Sequence, residues 1–142
     1  MIVIDANLLL YAYDATSLHH ATARRWIEEV FSSGWPVGLP WHTVAAFLRI
    51  ATNPNLPGQR FTPIEAAALV DEWMEQPNVR LLSPGEHHWP LFREAIVGGQ
   101  ARGGLVTDAQ LAALTIEFGG VLHTTDRDFA RFPGLRHKNP LA

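Results

Sequence analysis

The chain has 142 residues, 47% of them hydrophobic and 18% charged, enough for one compact domain with a sizeable core and too few for two ordinary ones. That balance excludes a disordered, collagen-like or coiled-coil chain. A formal net charge of −3 argues against a simple basic nucleic-acid binder, and the lack of cysteine excludes disulfides, thiolate zinc sites and cysteine nucleophiles.

No apolar run reaches the roughly 18 residues of a membrane span, because Asp5 and Asn7 interrupt the N-terminal candidate. That segment also lacks the basic n-region of a signal peptide. The expectation is a soluble, cytoplasmic protein forming a single domain over residues 1–142, with no membrane partner.

Met1 to Ile4 is a short β-branched run ending at Asp5, which predicts a buried strand. Ser17 is placed to cap a helix carrying Ala23, Trp26, Ile27, Val30 and Phe31 at helical spacing, closed by Gly34. A second strand is predicted at Val37 to Leu39, stopping before Pro40. The next helix carries Val44, Phe47, Leu48 and Ala51 and ends at Asn53-Pro54. Thr62-Pro63-Ile64-Glu65 and Ser83-Pro84-Gly85-Glu86 both read as capping boxes with proline at the first helical position. Between them, Val79 to Leu82 predicts a third strand. Thr107 is placed to cap a helix through Asp108, Ala112, Leu114 and Phe118, with Gly119-Gly120 closing it. Val121 to Thr124 predicts a fourth strand. This alternation means an α/β fold with a mainly parallel sheet covered on both faces.

Parallel α/β sheets bind ligands beyond the C-terminal ends of their strands. Asp5 follows the first predicted strand, Asp126 and Asp128 follow the fourth, and Asp108 lies in the first turn of a helix. A lone aspartate at such a place is usually a turn or cap residue. Several gathered together repel one another, and a divalent cation is the natural way to keep them ionised. Oxygen ligands without thiolate favour Mg²⁺, with Mn²⁺ as a substitute. Without those four charges the net −3 becomes +1, compatible with a polyanion reaching an acidic pocket.

Ten of the eleven cationic residues are arginine, the side chain that grips phosphate bidentately, although codon usage would give the same bias. Arg127, Arg131, Arg136, His137 and Lys138 crowd the C-terminal end, either as a phosphate-facing patch or as a solvated tail. The adjacent pairs His19-His20 and His87-His88 point to different sides of a helix and make poor chelates, so they read as surface or cap residues. His42 follows the second strand and can border the crevice. The tryptophans and phenylalanines read as core or interface material.

Four motifs then resemble a known family: Ile4-Asp5-Ala6-Asn7, Phe47 through Pro54, Thr107 through Leu114, and Thr124 through Phe132. Together, in this order and spacing and over essentially the whole chain, they resemble PIN domains. Within these the likeness is to the VapC toxins of type II toxin–antitoxin modules, in the mycobacterial-type subgroup. The resemblance implies a three-layer α/β/α sandwich with a central parallel sheet of about five strands, order 3-2-1-4-5. It implies an Mg²⁺-dependent endoribonuclease that hydrolyses RNA phosphodiester bonds with a metal-activated water, leaving 5′-phosphate and 3′-hydroxyl ends. A homodimer and a cognate VapB-type antitoxin are implied as well. Carried over by position, Asp5, Asp108 and Asp126 match the catalytic metal ligands. Asn7 and Thr124 match the polar residues behind them, and Asp128 a frequent additional acid. Arg127 and His42 are candidate substrate contacts.

One position departs from that pattern. Most PIN domains carry a glutamate just before the position of Phe47, and here it is Ala46. Glu117 cannot replace it from the Asp108 helix, being about half a turn round and about 13 Å further along. Two other functions stay open: a catalytically weakened PIN domain that binds RNA or antitoxin, which this departure motivates, and a phosphatase of the haloacid dehalogenase kind, since Asp5 follows the first strand. The latter wants a second aspartate where this chain has Asn7.

Overall fold

The computed structural model describes residues 1–142. Its strands are β1 (Ile2–Ile4), β2 (Val37–Pro40), β3 (Val79–Leu82), β4 (Val121–His123) and β5 (His137–Lys138). Its helices are α1 (Ala6–Ala12), α2 (His20–Ser32), α3 (Trp41–Ala51), α4 (Pro63–Met74), α5 (His88–Gly98) and α6 (Leu105–Glu117). A 3₁₀ turn, Arg127–Arg131, separates β4 from β5. All five strands pair in parallel in the order 3-2-1-4-5, the order implied by the family resemblance.

The central strands β1, β2 and β4 are buried on both faces because their residues alternate between two apolar layers, while the edge strands β3 and β5 are largely exposed. On β1, Ile4 joins Leu8, Leu9, Ile27, Phe47 and Trp73 on one face, while Val3 joins Leu111, Leu114, Leu122 and Phe129 on the other. Helices α1 to α4 contribute to the first layer, and α5 and α6 to the second. Gly38 in β2 is required by close packing, since a Cβ there would lie 2.6 Å from Leu82 Cδ1.

The first layer orients α3. Phe47 is fully buried and meets Trp73 edge-on at 4.7 Å between ring centroids, and Trp73 Nε1 donates to the Tyr13 hydroxyl at 2.9 Å. Such aromatic pairs contribute about 0.5–1.5 kcal/mol beyond their area. With Val44, Phe47 and Ala51 inward, the neighbouring stripe His42, Ala45, Ala46 and Arg49 faces elsewhere. Thr43 Oγ1 donates to the Ile4 carbonyl at 2.8 Å and fixes the first turn of α3 at the end of β1.

Local expectations fail where a distant partner intervenes. The capping box at Thr62 and Glu65 is formed in both directions. The one expected at Ser83 to Glu86 is not: α5 begins at His88, and the Gly85 N–H donates instead to Glu117 Oε2 at 2.9 Å. Glu86 stays exposed and pairs with His87. Nor do Ser17 and Thr107 cap their helices. Ser17 Oγ accepts from the His19 N–H in the turn before α2, and Thr107 lies inside α6, which starts two residues earlier. Pro40 belongs to β2, and β4 ends at His123.

Candidate active site

Strand order decides where a site can form. The chain adds β2 and β3 on one side of β1 and places β4 on the other, so the order reverses between β1 and β4. Register pairs Ile4 with His123, and the Asp5 N–H continues the ladder to the His123 carbonyl at 3.1 Å. Asp5 and Thr124 therefore leave the sheet side by side.

The side chains make that adjacency specific. Asp5 caps α1, with Oδ1 accepting from the Ala6 N–H at 2.8 Å, and Oδ2 accepts from Thr124 Oγ1 at 2.8 Å. Thr124 is buried, and its Oγ1 accepts from the Asp126 N–H at 3.0 Å and from Asn7 Nδ2 at 3.3 Å. Asp126 caps the 3₁₀ turn through the Asp128 N–H at 2.9 Å. One threonine hydroxyl thus connects Asp5, Asn7 and the backbone of Asp126.

Asp108 approaches from the first turn of α6 and lines a cleft of about 660 Å³ together with Asp5, Asn7, His42, Ala46 and Arg49. Partial burial, then the charges of Asp126, Asp5 and Asp128, push its carboxyl up to about 6, with Arg131 opposing. Burial also raises the Asp5 carboxyl, against the hydrogen bonds from Thr124 and Ala6. Asp108 thus feels Asp5, Asp126 and Asp128, although of these four acids only Asp5 and Asp108 line the cleft.

The donor set suits a hard divalent cation: carboxylate oxygens, no sulfur, and Asn7 Oδ1 buried without a hydrogen-bond partner. No three acidic or imidazole side chains are drawn tightly enough to cage an ion by themselves. Mg²⁺ keeps several waters and is commonly held by one or two carboxylates, which this looser arrangement accommodates.

The remaining candidates separate. His42 lines the cleft, its Nδ1 buried without a partner and its imidazole held below the ordinary value by desolvation, with Asp5 opposing. Arg127 and Asp128 are exposed on the 3₁₀ turn and do not line the cleft. Of the C-terminal basic group, Arg131 and Arg136 donate to the Gly99 and Gly119 carbonyls, while His137 and Lys138 form β5. His88 is neither a surface nor a cap residue: it is buried, with Nδ1 2.7 Å from Glu117 Oε1. That contact and the one to Gly85 engage both oxygens of Glu117 away from the cleft. Arg49 and Thr107 line the cleft and had no site role on sequence grounds. The signal for Arg49 was its helical spacing from His42, Ala45 and Ala46.

The PIN domain model matches residues 2–135. The chain belongs to the PIN domain family. Among its relatives, VapC ribonuclease Mb2897 of Mycobacterium bovis is 36% identical over 141 residues, covering 99% of this chain and 96% of that protein. Ribonuclease VapC33 of Mycobacterium tuberculosis is 37% identical over 141 residues, with 99% of each chain covered. The PIN fold is also that of VapBC2 from Rickettsia felis, solved bound to a DNA fragment from its promoter. The superposition has a TM-score of 0.72 at 14% identity and covers 98% of both chains. Within the PIN family, this chain stands with the VapC-type proteins.

Proposed function

We propose that this PIN domain, acting as one unit over residues 1–142, is a metal-dependent endoribonuclease and the toxin of a VapBC-type toxin–antitoxin pair. The observation that supports the reading is that Asp5 and Asp126 follow β1 and β4 at the switch point, near Asp108 in the first turn of α6, whose carboxyl is raised by partial burial and then by its acidic neighbours. These three are the catalytic and metal-holding residues, with Mg²⁺ as the ion and Mn²⁺ as a substitute. A bound Mg²⁺ supplies an activated water and neutralises charge on the scissile phosphate.

The chain's own residues supply the frame. Thr124 fixes the Asp5 carboxylate through one oxygen and receives the Asp126 N–H, so the two acids keep a constant spacing. Asn7 holds Thr124 and leaves its Oδ1 unengaged. Asp128 braces Asp126 through its backbone N–H. His42, whose imidazole desolvation holds below its ordinary value against the charge of Asp5, favours its uncharged form and so adds no positive charge to the cleft wall. Arg127 is available to substrate outside the cleft. The partners that fit this reading are RNA, a VapB-type antitoxin and a second copy of the chain. No helix is long and apolar enough to cross a membrane, and this reading has the protein act in the cytoplasm.

The test is incubation of the purified protein with transfer and ribosomal RNA, with Mg²⁺ or with EDTA, beside Asp5→Asn. Mg²⁺-dependent fragments with 5′-phosphate ends, lost in Asp5→Asn, are expected. One observation favours a second reading, a weakened PIN domain that binds RNA or antitoxin: Ala46 lines the cleft where most of the family has a glutamate. RNA retained on the protein but left uncut under all metal conditions would support it.

A further inference from the structure

The lining of the cleft is mixed in charge: Asp5, Asn7 and Asp108 are acidic or polar, while α3 supplies His42, Ala45, Ala46 and Arg49. Before any cation binds, the carboxylates repel a polyanion, so RNA needs a positive group in the same cleft. Arg49 is exposed and has no carboxylate within ion-pair distance; the three ion pairs of the protein involve other residues. Of the other nine arginines none lines the cleft, and four are tied down: Arg24 to Glu28, and Arg60, Arg131 and Arg136 to backbone carbonyls. Local sequence explains why Arg49 is free. A carboxylate three residues earlier on a helix would pair with it, and Ala46 offers only a methyl group there. Its charge nonetheless reaches into the site, since it disfavours protonation of His42.

We propose that Arg49 is a phosphate-binding residue of this cleft, gripping an RNA phosphate beside the one that is cleaved and holding the strand against the carboxylates. A guanidinium suits this task because its planar fork meets two phosphate oxygens at once. The assignment rests on the ribonuclease reading and specifies where the strand enters.

The test is anisotropy of a short fluorescein-labelled single-stranded RNA in EDTA, across NaCl from about 50 to about 200 mM, where phosphate contacts dominate affinity. Arg49→Ala is expected to weaken binding about 5- to 10-fold. It should also flatten the slope of log affinity against log salt by about 0.7, the contribution of one single-strand phosphate contact. Arg49→Lys should keep the slope and recover only part of the affinity, because the point charge remains and the fork is lost. Arg25→Ala, an exposed arginine outside the cleft, should match wild type. With Mg²⁺, Arg49→Ala should raise KM for cleavage more than it lowers kcat, with an unchanged melting temperature. Where binding in EDTA is too weak to measure, the salt dependence of KM carries the same comparison. Wild-type RNA cleavage with Arg49→Ala unchanged in slope, Kd and KM would overturn the assignment alone. A wild-type protein that neither binds nor cleaves RNA would overturn the ribonuclease reading and the Arg49 assignment with it.

Discussion

Replacing Asp108 with asparagine should stabilise the metal-free protein, and the gain should depend on pH. The Asp108 carboxyl titrates near 6 in the fold against 3.8 in the unfolded chain. A rise from 3.8 to about 6 corresponds to about 3 kcal/mol against the ionised folded state. Asp108 is only partly buried, and solvent screening reduces that to about 1.5–2 kcal/mol. Asparagine also forfeits the favourable interaction of a carboxylate with the N-terminus of α6, about 0.5 kcal/mol. A net gain of about 1–1.5 kcal/mol remains, or about 3–5 °C in Tm for a domain of this size.

The sign with pH follows from the raised value. Between 3.8 and about 6 the folded state holds the Asp108 proton more tightly than the unfolded state. The associated stability is therefore complete below 3.8 and lost as pH rises through 6. The Asp108→Asn advantage should be full at about pH 7.5 and roughly halved at about pH 5. Thermal melts of both proteins in EDTA at these two pH values measure it. An equal advantage at both pH values, or a destabilised variant at neutral pH, would refute the clustered-carboxylate account of Asp108.

Ala46→Glu should tighten Mg²⁺ or Mn²⁺ binding in calorimetry and leave metal-loaded stability nearly unchanged. A large loss of stability that metal does not rescue would show that residue 46 has no room for a carboxylate. Thr124→Val should lower stability by about 1–3 kcal/mol in urea unfolding, because it strips the buried hydroxyl that serves Asp5, Asn7 and Asp126. An unchanged midpoint would mean that water replaces it. Glu117→Ala should cost about 2–4 kcal/mol through the loss of the Gly85 and His88 contacts, yet leave RNA cleavage per folded molecule intact. Reduced cleavage by fully folded Glu117→Ala would connect this pair to the site.

Elements with a strong local pattern were readable from sequence. The strands β1 to β4 and the Thr62–Glu65 cap depend on residues adjacent in the chain. Helix α1 escaped notice because Ala6-Asn7-Leu8-Leu9-Leu10-Tyr11-Ala12 is too short and too evenly apolar to show a period. Strand β5 is two exposed residues without a hydrophobic signal, held by the ladder to β4. The Ser83–Glu86 motif failed because Glu117, 32 residues from Gly85, takes the N–H that a local cap would have used. The position of Asp5 and Asp126 beside the switch point could be read from the predicted strand ends, and that of Asp108 from its place near the start of a helix. Arg49 and the buried His88–Glu117 pair could not, because their roles depend on which face of a helix a distant core selects.

The central claim is that the Asp5, Asp108 and Asp126 carboxylates act together on one divalent cation. Mg²⁺ calorimetry at about pH 6, repeated in buffers of different ionisation enthalpy, tests it most directly by counting released protons. With Asp108 titrating near 6, binding should expel about half a proton. Asp108→Asn should bind more weakly and expel almost none, and Asp5→Asn should bind weakly or not at all. Mg²⁺ affinity and proton release that are the same in all three proteins would contradict it.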